Sequence, residues 1–125
     1  MQLNSPFEIL KPPIAACFHD AGDSNVILPY LIDYHHAIKY DETILKVYAD
    51  SGALDIFQQH LKSSIKINPI ESLYFNDFNS LIFGTSWQTS AILSKVDFFI
   101  GNKKQTLAIF DHWTRYTERL MLEEK

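Results

Sequence analysis

The stretch from Ile14 to Asn25, which with the two prolines before it reads PPIAACFHDAGDSN, constrains the fold more than any other part of the chain. Pro12 and Pro13 bar a helix immediately upstream, and Ile14, Ala15, Ala16, Cys17 and Phe18 then form a run that is apolar on both faces. Such a run suits a parallel strand covered by helices on both sides. It breaks off into polar and small residues: Gly22 frees the backbone for a tight turn, and Asp23, Ser24 or Asn25 can cap a helix starting at Val26. A strand that empties into a turn and a capped helix is the opening unit of an open α/β sheet, and ligands bind in the crevice beyond such strand ends. The segment His19 to Ser24 has neither the three glycines of a dinucleotide fingerprint nor the Lys-Ser/Thr of a P-loop.

With 125 residues the chain suffices for one domain, residues 1–125, with one buried core, and a hydrophobic share of 46% fits a folded protein. The formal charge of −4 and the scatter of eleven basic residues argue against extensive phosphate-backbone binding, so no nucleic-acid partner is expected. Lys103-Lys104 reads as a solvated turn. The single cysteine, Cys17, lies inside the apolar first strand and reads as a small buried hydrophobe. The N-terminus lacks the layout of a signal peptide and no apolar stretch approaches the length of a membrane span, so a cytoplasmic location is the expectation.

Residues Met1 to Lys11 are a lead-in with one short edge element around Phe7 to Leu10. Ile27, Leu28, Leu31, Ile32, His35 and Ile38 mark a helical stripe over about Val26 to Ile38, which places Pro29 in the tolerant first turn. His35 and His36 are adjacent, so they diverge on that helix and read as satisfied or surface histidines rather than a chelating pair. Thr43 to Ala49 form the second strand, and Leu54, Phe57 and Leu61 a helix from about Ala53 to Leu61. Between them, Asp50 stands where a dinucleotide fold puts an acidic residue for a ribose, while Asp50 or Ser51 also suits a plain helix cap. Ser63 to Asn79 admits both a helical turn and a short strand. Leu81-Ile82-Phe83 is a further strand, closing on Gly84-Thr85-Ser86. Ile92, Leu93, Val96, Phe99 and Ile100 define a helix from near Ser90 to Gly101-Asn102, Thr106 to Phe110 the last strand, and Trp113 to Lys125 a final helix.

The repeated order of apolar strand, polar turn and amphipathic helix predicts an open α/β fold with a mostly parallel sheet of four or five strands and helices on both faces. Parallel strands then bring His19 to Asn25, Asp50-Ser51, Gly84 to Trp87 and Asp111 to Arg115 to one carboxyl edge. Gly84-Thr85-Ser86 offers backbone N–H groups and two hydroxyls for a carboxylate, sugar hydroxyl or phosphate, and Arg115 a guanidinium fork; the same residues also serve as ordinary turn and cap formers. Trp87 and Trp113 are candidates for a sugar platform or a partner face, the plainer reading being packing at the sheet edge.

His19-Asp20-Ala21-Gly22, Phe83-Gly84-Thr85-Ser86-Trp87 and above all the ending from Phe110 to Leu120, FDHWTRYTERL, resemble the N-terminal half of glycosyltransferase-B-like proteins linked to bacterial surface polysaccharide biosynthesis. The resemblance covers roughly Ile14 to Leu120. It implies a Rossmann-like three-layer sandwich that holds the acceptor, facing a second domain that holds the nucleotide-sugar donor. By position, Asp20, Gly22, Thr85, Ser86, Asp111 and His112 would border the acceptor. The chain stops where the first domain of such proteins continues, so sugar transfer by the chain alone is not expected. A second copy or a separate donor-binding subunit would complete the cleft, around a sugar or nucleotide-sugar ligand.

Inverting sugar transfer needs a base near the acceptor hydroxyl and electrostatic relief for the departing diphosphate. His19, Asp20 and Asp111 supply candidates for the base, with His112 beside them, and no basic cluster supplies the relief. The ligand-binding candidates are Gly22, Ser24, Asn25, Asp50, Gly84, Thr85, Ser86, Trp87, Trp113 and Arg115. No cofactor and no metal is expected on this reading. Two alternatives stay open: a phosphatase or phosphoacceptor domain using Asp20, Asp23 and Asp111 around Mg²⁺, and a non-catalytic protein-interaction module.

Overall fold

The computed structural model describes residues 5–63, 65–84 and 90–109. Within them the order is β1 (Ile14–Phe18), α1 (Ala21–Ala37), β2 (Leu45–Ala49), α2 (Ser51–His60), β3 (Ile67–Asn68), β4 (Ser80–Gly84), α3 (Ser90–Gly101) and β5 (Gln105–Ile109), with single 3-10 turns at Pro6–Ile9, Ile70–Ser72 and Phe75–Asp77. The five strands form one sheet in the order β3-β2-β1-β4-β5, and all four pairings are parallel. This is the expected Rossmann-like three-layer α/β sandwich. The chain leaves β1 for β2 on one side and later returns to β4 on the other, so the strand order reverses between β1 and β4. In open α/β sheets the ligand crevice lies at that switch point, beyond the carboxyl ends of the strands.

Alternation along the strands divides the core in two. Ile14, Ala16 and Phe18 of β1, with Leu45, Val47, Ala49, Ile82 and Leu107, pack under Ile27 and Leu31 of α1 and Ala53 and Phe57 of α2. Ala15 and Cys17, with Tyr48, Leu81, Phe83 and Ala108, pack under Ile92, Val96 and Phe99 of α3 and under Ile70, Leu73 and Phe78 of the β3–β4 crossing. All five β1 side chains are buried, the signature of a central strand covered on both faces. The lead-in is tied down at two points: Phe7 is fully buried and stacks on Tyr34, and the Lys11 amide donates to the side chains of Ser80 and Gln105.

Several local expectations are corrected. Helix α1 starts at Ala21, not Val26, so Gly22, Asp23, Ser24 and Asn25 are helical and Asp20 is the N-cap residue. The turn needs only His19 and Asp20, because the Ser24 amide and hydroxyl both donate to the Asp20 carbonyl and close the first turn at once; no glycine has positive φ. Pro29 therefore sits in the helix interior rather than the first turn. Its missing N–H would have served the Asn25 carbonyl, and Asn25 and Pro29 are both exposed, so water meets the orphaned acceptor. Helix α2 begins at Ser51, two residues before the expected Ala53. The lead-in element is a 3-10 turn at Pro6–Ile9, capped by the Ser5 hydroxyl. In α3, Ile92, Val96 and Phe99 are buried as the periodicity requires, whereas Leu93 and Ile100 are about half exposed. Strand β5 begins one residue earlier than expected, at Gln105. Phe110 and the helix expected over Trp113 to Lys125 lie outside the described residues. Among the described residues no helix is long and apolar enough to cross a membrane.

Candidate functional site

The register Phe18↔Ala49 between β1 and β2 determines what stands at the carboxyl edge. One residue further on, the Asp50 amide donates to the Phe18 carbonyl, so the first polar residues after the two strands, His19 and Asp50, are neighbours. Their side chains meet: His19 Nδ1 is hydrogen-bonded to Asp50 Oδ1. An ionised carboxylate only accepts, so Nδ1 is the donor of this pair, and in that neutral tautomer Nε2 presents its lone pair. The two side chains remain open to solvent, at 27% and 42% exposure respectively.

The backbone around this pair is drawn tight. The Ala53 amide donates to the His19 carbonyl, which brings the first turn of α2 beside that of α1. A Cβ at Gly52 would lie 3.1 Å from the Ala21 nitrogen and 3.2 Å from its Cβ, so a larger residue there would press the starts of the two helices apart by a few tenths of an ångström. Asp20 and Asp50 occupy the N-cap positions of α1 and α2, yet neither side chain makes a capping bond. Two positive helix ends thus face one rim, next to the side chains of Asp20 and Asp50. Ser51, the first residue of α2, is exposed and adopts φ 49°, in the left-handed region.

Of the residues expected at the rim, His19, Asp20, Gly22 and Asp50 converge on this corner. Ser24 is fully buried and spends its hydroxyl on the Asp20 carbonyl, so it builds the corner from beneath. Asn25 is exposed one turn further along α1. Gly84 ends β4 on the other side of β1, against the buried Asp23: a Cβ there would come within 2.8 Å of Asp23 Oδ2 and 2.9 Å of the Phe18 ring. Thr85, Ser86, Trp87, Asp111, His112, Trp113 and Arg115 lie outside the described residues.

The pairing of Asp50 with His19 differs from both roles weighed for Asp50, ribose contact and cap. The signal for it was present: each is the first polar residue after one of two strands that must be neighbours if both feed helices on the same face. What was missing is the register, which no single segment carries. Cys17, one residue before Phe18 in β1, takes no part; burial pushes its thiol up to about 12, so it stays protonated at neutral pH. Among the described residues no three His, Cys, Asp or Glu side chains stand close enough to hold a metal ion. A cavity of about 490 Å³ opens at the other end of the sheet, lined by Ile9, Leu10 and Lys103 to Leu107, away from the His19–Asp50 pair. No family model matches the chain, and no curated protein or solved structure gives a significant match.

Proposed function

We propose that the carboxyl-edge corner of β1 and β2 binds a hydroxyl-rich, sugar-like ligand, and that the chain acts as the acceptor-side domain of a sugar-handling system rather than as a complete transferase. The observation that carries this reading is the His19–Asp50 pair standing open at the strand ends. An imidazole whose far nitrogen is a lone-pair acceptor takes a hydrogen bond, and then a proton, from a ligand hydroxyl. Asp20 and the free lone pairs of Asp50 accept from neighbouring hydroxyls, as sugar recognition requires. Segments 18–24 and 49–53 hold no lysine or arginine, so among the described residues the corner favours an uncharged polyol over a phosphorylated ligand. Asp111 and His112 would extend the acid–base set, Trp87 and Trp113 supply stacking faces and Arg115 a cation for a nucleotide sugar; a second copy or a separate subunit would bring the donor. For the Mg²⁺ reading, Asp23 is the wrong kind of ligand: it is 2% exposed and tucked against Gly84, not on the rim with Asp20.

Calorimetric titration of the purified chain with acceptor sugars and with nucleotide sugars tests this. Saturable binding of acceptor sugars, lost in H19A, is the expected result. Saturable donor binding with sugar transfer by the chain alone would make it an enzyme in its own right, and absence of binding in both series would overturn the reading. The interaction-module alternative draws on one observation, that Leu93, Phe98 and Ile100 of α3 and Tyr74 are about half exposed.

A further inference from the structure

Helix α3 has two flanks beside its buried stripe, and their surroundings differ. One flank faces the β3–β4 crossing: Phe98 stacks on Phe75 with ring centroids 5.4 Å apart, and the Lys95 ammonium donates to the Leu73 carbonyl. The crossing lies toward β2, since its Phe78 packs edge-to-face with Tyr48. The opposite flank, formed by Leu93, Asp97 and Ile100 at helical spacing, therefore looks over β5, where the sheet order ends. Leu93 is 51% and Ile100 49% exposed, Asp97 between them is exposed, and neither apolar residue joins the core beneath α3.

We propose that residues 110–125 turn back from the end of β5 as a helix and dock on this flank. The segment and α3 start from the same edge of the sheet: α3 follows β4, which ends at Gly84, and the segment follows Ile109, the partner of Gly84 across the ladder. A chain turning back there runs alongside α3. As a helix, the thirteen residues Trp113 to Lys125 span about 20 Å, against about 18 Å for the twelve of α3. Trp113, Tyr116 and Leu120 recur at helical spacing and supply the apolar stripe that meets Leu93 and Ile100. Charge agrees with this placement. The two helices advance by the same rise per residue, so one alignment brings Arg119, at the border of the stripe, level with Asp97 and Glu123, one turn on, level with the exposed Lys103 beyond the end of α3. The occupant of the apolar flank is thus a segment of the same chain, and the docking holds Asp111 and His112 at the carboxyl edge, beyond the strand two places from β1 in the sheet order.

Hydrogen exchange on the whole chain, read peptide by peptide, tests this. Amides of residues 114–124 should exchange about tenfold or more slowly than in an unstructured peptide of the same sequence. Combining Leu93→Asp with Ile100→Asp should remove that protection while peptides covering β1 exchange as before, because both positions are half exposed. Independently, Asp97→Cys with Arg119→Cys should be joined within one chain by a short bismaleimide, whereas Phe98→Cys with Arg119→Cys, on the other flank, should not; the buried Cys17 stays out of the reaction. If the two aspartates also unprotect β1, the cross-link alone decides. An unprotected segment in the parent chain, protection that survives both aspartates, or a cross-link joining two chains, which would assign the flank to a second copy, would overturn the proposal.

Discussion

Two histidines show how differently one chemistry can be used in this fold. His19 and His35 each engage a partner through Nδ1, the first with the Asp50 carboxylate and the second with the Leu31 carbonyl one turn back in α1. His35 is 4% exposed and stacks on Tyr40, and burial holds its pKa below the ordinary imidazole value. His19 keeps 27% of its side chain open at the strand ends. A tethered Nδ1 is therefore no mark of function by itself; what separates the two rings is whether Nε2 can be reached. His35 is a core residue with a polar edge, and His19 is a surface residue with a fixed orientation.

The contrast can be broken first through stability. His35→Ala removes a buried ring and its bond to Leu31, and should cost about 2–4 kcal/mol in chemical denaturation, whereas His19→Ala at its half-open site should cost under about 1 kcal/mol. Equal losses would erase the distinction. Gly84→Ala addresses the wall behind the corner: its Cβ would meet Asp23 and the Phe18 ring at 2.8–2.9 Å, which should destabilise the chain by about 1–3 kcal/mol. An unchanged melting temperature would show that this wall yields freely.

Acidity sharpens the comparison next. Because the folded-state pKa of His35 lies below that of the unfolded chain, folding favours the neutral ring. Its contribution is complete above the unfolded value of about 6.5 and is lost as pH falls through that value toward the lower folded one. Stability should thus decline from pH 7.5 to 5 in the parent chain, and less so in His35→Gln. Of the charged groups around it, His36 opposes its protonation, while Lys46, Lys66 and Glu42 line the cavity beside it. The smallest stability effect belongs to Asp50→Asn, under about 1 kcal/mol at its exposed site. Its readout is spectroscopic: imidazole ¹⁵N shifts of His19 should move away from the Nδ1–H tautomer, and no movement would mean that Asp50 does not orient the ring.

Much of this architecture was legible because strong local patterns agreed with the fold. The doubly apolar run at Ile14–Phe18, the strand at Leu81–Phe83 and the helix from Ser90 to Gly101 each carry their own periodicity. The failures share a cause in contacts distant along the chain. Gly22 reads locally as a turn, yet it is the second residue of α1, and the close approach of α1 and α2 falls instead to Gly52 against Ala21. Leu93 and Ile100 extend a plausible stripe, but the neighbours available to α3 among the described residues cover only Ile92, Val96 and Phe99. The β3–β4 crossing uses two 3-10 turns where a helix is usual, and three-residue turns leave no period to read. The site was half legible: its residues follow from the strand ends, whereas the partner of His19 follows only from the register of two strands separated by a whole helix.

The clasp between the lead-in and the last strand has a consequence for how the chain acquires its structure during synthesis. The Lys11 amide and the Ile9 carbonyl both bond the side chain of Gln105, contacts spanning more than ninety residues of sequence (94 and 96 positions). Residues 14–60 can begin to pair as soon as β2 emerges, since β1, α1, β2 and α2 are consecutive in sequence. The central strand gains its second neighbour only with β4, and the lead-in its clasp only with β5, so these pairings close long loops, each at an entropic cost that grows with loop length. A nascent chain paused before residue 105 would leave one edge of β4 unpaired and the core beneath α3 without Ala108, and an open strand edge is what self-association consumes.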